Sequence, residues 1–450
     1  MTSDSEPDSD PDSGSNSGFG SDSVPAPGPM TIASIGEFAL IQRIRAVVED
    51  PSGRPREPGT SSDLLLGIGD DAALIRPEPG WDLALTCDTH VCGRHFDPRW
   101  MGAEAIGRRA MTVNLSDIAA MGGEPRHALV SLGLPGSMGV AVVEDLYRGF
   151  LSALAETGAR IIGGNVTSSG AEWFVDITLV GRIEQGRALT RAGARPGDRI
   201  LVTGSPGRSA AGLAVLRAIT KIGASAPGVP PRPNRGTAPG EGAPRTTLGV
   251  VSGTLPALHR EIEQFLTTNS WARSLVRAFC QPTARLAAGR WMATAADRPV
   301  TALVDVSDGL IGDLAHVCVC SGVRARIEAA RLPHDPDLEA ASSYFGQVRT
   351  AWTLGPGDDY ELLLTVCPAA SERVANELRA ATGLTVTEIG GILPPSVPSK
   401  GSAPFKGTVP PSAASPPSEE IGIDARLVEV IGLSPGEYYG EGWDHFRVKP

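Results

Sequence analysis

The spacing of hydrophobic positions changes from one segment of the chain to the next. Residues 83–91 (LALTCDTHV), 127–134 (HALVSLGL), 174–183 (FVDITLVGRI), 198–204 (DRILVTG) and 300–306 (VTALVDV) are short, apolar and rich in β-branched side chains, which predicts strands. Between them, 34–48, 103–121, 141–157 and 208–221 repeat apolar positions three and four apart, as one face of a helix requires. The alternation predicts an α/β fold, α+β in detail, with mixed sheets covered by helices. No internal repeat of solenoid length is present.

Three stretches break the pattern. Residues 1–30 are Ser, Pro, Asp and Gly almost throughout, with six acidic residues and no basic one. Such a segment cannot bury enough apolar surface to offset its ordering entropy, so a disordered acidic tail is expected. Residues 224–245 contain six Pro and four Gly, and 394–418 contain eight Pro; both read as extended surface insertions. The remainder divides into an N-terminal module over 33–183 and a C-terminal module over 184–450.

Composition narrows the class. The chain has 450 residues, 41% apolar and 20% charged, the balance of a soluble globular protein. A net charge of -11 argues against a nucleic-acid partner. No apolar run approaches the ~20 residues of a spanning helix, and no basic-then-apolar leader opens the chain. Six cysteines at this length do not form a disulfide framework, nor a zinc site without a second pair of soft ligands. A cytoplasmic protein with no membrane partner is expected. Neither a GxGxxG turn after the first strand nor GxxxxGK[ST] occurs, so a nucleotide would be held by another route.

The candidate chemistry lies in the acidic residues. Gly69-Asp70-Asp71, Thr86-Cys87-Asp88, Ser116-Asp117, Asp305-Val306-Ser307-Asp308-Gly309 and Gly357-Asp358-Asp359 read as bends at the ends of apolar elements. A carboxylate there is costly unless positive charge faces it. Several carboxylates with few Lys or Arg nearby point to divalent cations. Hard oxygen ligands select Mg²⁺, which shares the phosphate oxygens of a substrate. Each motif alone also reads as a turn or a helix N-cap; their recurrence carries the metal reading. His95, in GRHF, reads as structural or catalytic. Arg191, in GRALTRAGARPGD, reads as a phosphate-facing fork or a surface cation. Trp443, in GEGWDHF, reads as a core or lid aromatic, or as a ring that stacks on a flat heterocycle.

GEFALIQRI, GIGDDAALI, TCDTHVCGRHF, TVNLSDIAAMGGEP, GRALTRAGARPGD, VDVSDGL, GDDYELLL and GWDHF follow in the order seen in thiamine-monophosphate kinases. The chain resembles that family over most of 33–450 outside the two insertions. Several of these motifs are shared across the wider superfamily of aminoimidazole-ribonucleotide synthetase-like ATP enzymes; GEFALI, the His of GRHF and GWDHF are more specific. The resemblance implies the two-module fold of that superfamily, with the N-terminal sheet paired with its copy in a homodimer. It also implies ATP as co-substrate, several Mg²⁺ ions, thiamine monophosphate as acceptor and thiamine diphosphate as product. An ionised phosphate oxygen is already a nucleophile, so no general base is needed.

By motif position, the resemblance implies metal ligands at Asp71, Asp88 and Asp117, with Thr86 and the backbone of Cys87 beside the strand Asp, and at Asp305 and Asp308 on the second module. It places Arg191, Ser307 and Tyr147 on the nucleotide, and His95, Asp358 and Trp443 on thiamine monophosphate. The family's Gly-Gly-Asp is Gly163-Gly164-Asn165 here, so Gly164 and Asn165 carry over to the nucleotide, and Asn165 to the metal as a neutral amide. The family's Gly-Gly-Glu-Asp is Pro356-Gly357-Asp358-Asp359, one methylene shorter at the substrate carboxylate, and Cys87 stands where Thr is common. Two alternatives remain: another ATP-dependent enzyme of the superfamily, and a catalytically impaired thiamine-phosphate or nucleotide-binding protein.

Overall fold

The computed structural model describes residues 30–49, 63–66, 73–170, 172–224, 255–395 and 427–433. The expected acidic tail, nearly all of the first insertion and most of the second lie outside them. Helices α1 (Ile32–Ile35) and α2 (Glu37–Glu49) and a small hairpin, β1 (Leu64–Leu66) with β2 (Leu74–Ile75), come first. Three of the predicted strands form as β3 (Trp81–Val91), β4 (Glu124–Leu134) and β6 (Phe174–Glu184), and an unpredicted strand, β5 (Arg160–Ser168), joins them. They build a four-stranded sheet in the order β3-β6-β4-β5, in which only β4 and β5 run parallel. Helices α3 (Ala103–Ala120) and α4 (Val140–Leu154) cover one face.

The pleat sorts each strand into two faces. Ala128, Val130 and Leu132 of β4 and Val175, Ile177 and Leu179 of β6 point into the helix-covered core. The intervening residues face outward, and Leu83, Leu85 and Leu129 are exposed there. Asp88, expected at a strand end, sits inside β3. The strand continues because it pairs with β6 along its whole length, with Asp88 opposite Ile177 and Val91 opposite Phe174.

The second sheet has six strands: β7 (Arg199–Thr203), β8 (Val300–Asp305), β9 (Arg324–Glu328), β10 (Leu362–Val366), β11 (Val386–Leu393) and β12 (Val428–Ile431), in the order β12-β9-β11-β7-β10-β8. Every residue of β10 is buried, which explains the unbroken apolar run LLLTV in place of an alternation. The accompanying helices are α5 (Arg208–Ala224), α6 (Leu255–Thr268), α7 (Ser270–Cys280), α8 (Leu286–Thr294), α9 (Leu310–Ser321), α10 (Pro336–Phe345), α11 (Thr350–Thr353) and α12 (Ser371–Thr382). Val215, Leu216, Ile262, Val276 and Phe279 of α5–α7 join the same core as α3 and α4. The helices after β7 therefore tie the two sheets together. Among the described residues no helix is long and apolar enough to cross a membrane.

Candidate active site

Three elements bring three carboxylates to the seam between the sheets. Thr86 and Asp88 lie on the helix-facing side of β3, Asp117 is near the end of α3, and Asp305 is the last residue of β8. The Thr86 hydroxyl donates to Asp117 Oδ2. The Ser116 hydroxyl donates to Asp305 Oδ2 at 2.7 Å, joining α3 to β8. Asp305 is 2% exposed. Asp88 Oδ2 is buried without a hydrogen-bond partner. Burial, with the charges of Asp117 and Asp305, pushes Asp88 up to about 7. Burial and Asp117 push Asp305 up to about 6. Burial also raises Asp117, against the opposing pull of the Thr86 hydrogen bond and the Arg191 charge. The exposed Arg191 acts on both Asp117 and Asp305.

The corner after β8 is shaped by a residue the sequence reading missed. Asp313, one turn into α9, accepts the backbone N–H groups of Ser307, Asp308 and Gly309 on Oδ2 at 3.0, 3.0 and 3.1 Å. It thereby satisfies donors that the helix start leaves open. Its signal was the acidic residue in the first turn of a helix opening with Gly-Leu-Ile-Gly. Gly309 has φ 108, and a methyl there would run into the Gly355 carbonyl. Val306 donates to the Glu361 carbonyl at 2.7 Å and accepts from Tyr360 N–H at 2.8 Å, so the 305–309 corner and the 358–361 turn are laced together. On the opposite side, the Ser321 hydroxyl accepts from Gly193 and Ala194 N–H, each at 3.1 Å, and donates to the Arg191 carbonyl at 3.3 Å. Asp305, Asp308, Ser307 and Arg191 therefore belong to one neighbourhood.

Other expected residues fall elsewhere. Tyr147 lies within the core, 3% exposed, with its ring edge-on to Phe150 at 5.2 Å. The Cys87 side chain and Asn165 are also separated from the carboxylates, because the pleat turns both to the open face of the sheet. Cys87 Sγ there lies 3.2 Å from Asp176 Oδ1, and Asn165 pairs in register with Ser131, itself opposite Asp176. Gly164 is required by packing, since a Cβ would meet the Val130 backbone. His95 Nδ1 accepts the Val91 N–H at 3.0 Å, and its ring lies 5.6 Å from that of His90. Asp358 pairs with Arg109 at 2.7 Å. Its neighbour Asp359 accepts the N–H groups of Gly207 and Ser209 at the start of α5 and is pushed up to about 7 by burial. Asp71 and Trp443 lie outside the described residues.

Among the described residues no three His, Cys, Asp or Glu side chains converge closely enough to hold a metal ion by themselves. The donors nevertheless suit a divalent cation shared with phosphates. Mg²⁺ takes one or two carboxylates and completes its shell with water and substrate oxygens. The partnerless Asp88 oxygen and the mutual repulsion of Asp88, Asp117 and Asp305 are what such a charge would relieve.

The family model of the AIR synthase related protein N-terminal domain matches residues 69–183. Thiamine-monophosphate kinase of Escherichia coli (strain K12) is 33% identical over 331 residues, 74% of this chain and 82% of the relative. The crystal structure of thiamine-monophosphate kinase from Stenotrophomonas maltophilia K279a aligns with a TM-score of 0.59 at 30% identity, covering 80% of this chain and 95% of that one. AaThiL complexed with AMPPCP and TMP aligns with a TM-score of 0.57 at 25% identity, covering 93% of this chain and all of that one.

Proposed function

The chain belongs to the thiamine-monophosphate kinase family, and on that premise we propose that it transfers the γ-phosphoryl group of ATP in line to the phosphate of thiamine monophosphate, with Mg²⁺ at the carboxylate seam. The observation that supports this reading best is the meeting of Asp88, Asp117 and Asp305 from β3, α3 and β8, with one buried Asp88 oxygen left without a partner. Donor and acceptor are both anionic phosphates, so catalysis amounts to neutralising repulsion and holding a line of approach. Bound divalent cations would supply the positive charge, carried by Asp88, Asp117, Asp305, Asp308 and the Thr86 hydroxyl, with Asp71 as a further ligand.

Arg191 faces the same seam, and the Ser321 hydroxyl ties its loop to the end of α9. In this reading it offers a guanidinium to the transferring phosphates. Ser307 and the Gly164–Asn165 segment serve the nucleotide, while His95, Asp358 and Trp443 hold thiamine monophosphate. We place the metal-bearing sheet in a module over 33–183 and the second sheet in one over 184–450. We further propose a cytoplasmic homodimer joined through the open face of the first sheet. The test is direct: purified protein is incubated with ATP, Mg²⁺ and thiamine monophosphate, and thiamine diphosphate is sought by chromatography. Formation of thiamine diphosphate and ADP in equal amounts supports the reading. No product at saturating substrate, with both ligands still bound, overturns it in favour of a binding protein.

A further inference from the structure

Arg109 is a guanidinium where a guanidinium is expensive. It lies on α3 two turns before Asp117, is 2% exposed, and its Nε has no hydrogen-bond partner. Taking such a charge out of water costs several kcal/mol unless a partner compensates. The compensation comes from the second module. Nη2 donates to Asp358 Oδ2 at 2.7 Å, Nη1 donates to the Phe279 carbonyl, and the guanidinium stands 4.6 Å from the Phe279 ring centroid and 5.9 Å from that of Tyr360.

Asp358 itself is 44% exposed. Among the described residues no donor reaches its other oxygen, Oδ1. The turn beneath it is held by backbone hydrogen bonds to Val306. Tyr360 is one of two non-glycine residues with positive φ among the described residues, at 53°, a conformation that persists only where surroundings over-determine it. Its N–H is held by Val306. A buried cation on one module thus pins one oxygen of a half-exposed carboxylate on the other and leaves the second oxygen without a donor among the described residues.

We propose that Arg109 is a positioning residue for the acceptor substrate: by fixing Asp358 Oδ2 it aims Oδ1 at the hydrogen-bonding or cationic part of thiamine monophosphate. The inference rests on the reading above, in which Asp358 contacts that substrate. It also gives the short Asp358 side chain a physical role, since a carboxylate held by a buried guanidinium loses little freedom on binding. Arg109 acts through Asp358 and does not touch the phosphates, so its influence falls on the acceptor and not on ATP.

The experiment is a double-mutant cycle on the full chain with Arg109→Met and Asp358→Asn, reading KM for each substrate and kcat. Removing the guanidinium is expected to raise KM for thiamine monophosphate by on the order of tenfold, with KM for ATP within about twofold. In the Asp358→Asn background, Arg109→Met is expected to add little. Arg109→Lys, which keeps the charge but not the fork, is expected to fall between wild type and Arg109→Met. Equal rises in both KM values, or fully additive effects, would show that Arg109 only supports the fold and would overturn the inference. If Arg109→Met does not fold, the cycle with Arg109→Lys decides by the same two criteria. Failure of the wild-type protein to form thiamine diphosphate would instead sink the kinase reading itself, so the two failures are distinguishable.

Discussion

Asp88 is the residue on which the site's electrostatics turn. Its buried, partnerless oxygen and its neighbours Asp117 and Asp305 lift its folded pKa to about 7 from an ordinary value of 3.8. For an acid raised in this direction, the native state binds more protons than the unfolded state between those two values. Cation-free stability therefore falls as pH rises from about 4 to about 7, and is greatest below that window. Thermal melts across this range without divalent ions should show that decline, and Asp88→Asn or added Mg²⁺ should flatten it. A melting temperature independent of pH in the wild-type protein would remove the repulsion argument. Asp117→Asn keeps size and hydrogen bonding to Thr86 but removes charge from the seam. It should lower kcat by at least about a hundredfold, the scale seen when one preorganised charge-stabilising group is lost, with little change in melting temperature. Normal turnover by a less stable mutant would make Asp117 a structural helix residue. These carboxylates were legible in the sequence because an acid beside an apolar run is conspicuous. Arg109 and Asp313 were not, because their meaning depends on partners 249 residues away in one case and on a backbone corner in the other.

Helix α3 is the element that carries most of the site, since Arg109, Ser116 and Asp117 all project from it. It is buried along nearly its whole length, and it lies against α4 at a distance set by missing side chains. A methyl on Gly149 would fall 2.7 Å from the Arg108 nitrogen and closer still to the Glu104 carbonyl. Gly149→Ala should therefore force the helices apart and destabilise the protein by about 1–3 kcal/mol, the usual range for overpacking. Because α3 would shift with Asp117 on it, kcat should fall as well; urea unfolding and steady-state assays read the two effects. Neutral behaviour in both would mean that the crossing relaxes without strain. The strands β3, β4, β6, β7 and β8 and the helices from α2 to α5 were legible, since apolar runs and the 3.6 period survive in segments with a buried face, whereas β5 and the strands after β8 were not singled out. The run after Gly357 was less so: GDDYELLL looks like one acidic motif, yet Asp358 reaches Arg109, Asp359 caps α5 and Glu361 meets Arg285. Neighbouring side chains point in different directions, and no one-dimensional pattern separates them. The burial of Tyr147 was not legible for a related reason, because an aromatic position on a helix carries no mark of how deeply its ring is packed.

At the scale of the whole molecule, the open face of the first sheet asks for a partner. Leu83 is 45% and Leu85 66% exposed on β3, with Leu129 on the same face two strands away, and exposed apolar side chains gathered on one sheet face mark an interaction surface. Beside the leucines runs a polar row in register, Thr89 opposite Asp176, Asp176 opposite Ser131, and Ser131 opposite Asn165. Two copies packed face to face about a twofold axis would bury the leucines. The polar row would then meet groups of the second copy, and the Asn165 and Cys87 side chains, on the face away from the carboxylates, would lie at the junction of two. A two-sheet interface of this kind is isologous, so any residue placed in it is placed twice. Leu85→Asp therefore introduces two carboxylates into one apolar contact, each costly to bury without a partner. The wild-type chain should sediment as a dimer at micromolar concentration and Leu85→Asp as a folded monomer with unchanged secondary structure by circular dichroism. A Leu85→Asp protein that still sediments as a dimer would move the interface to another surface and leave the exposed leucines without their partner.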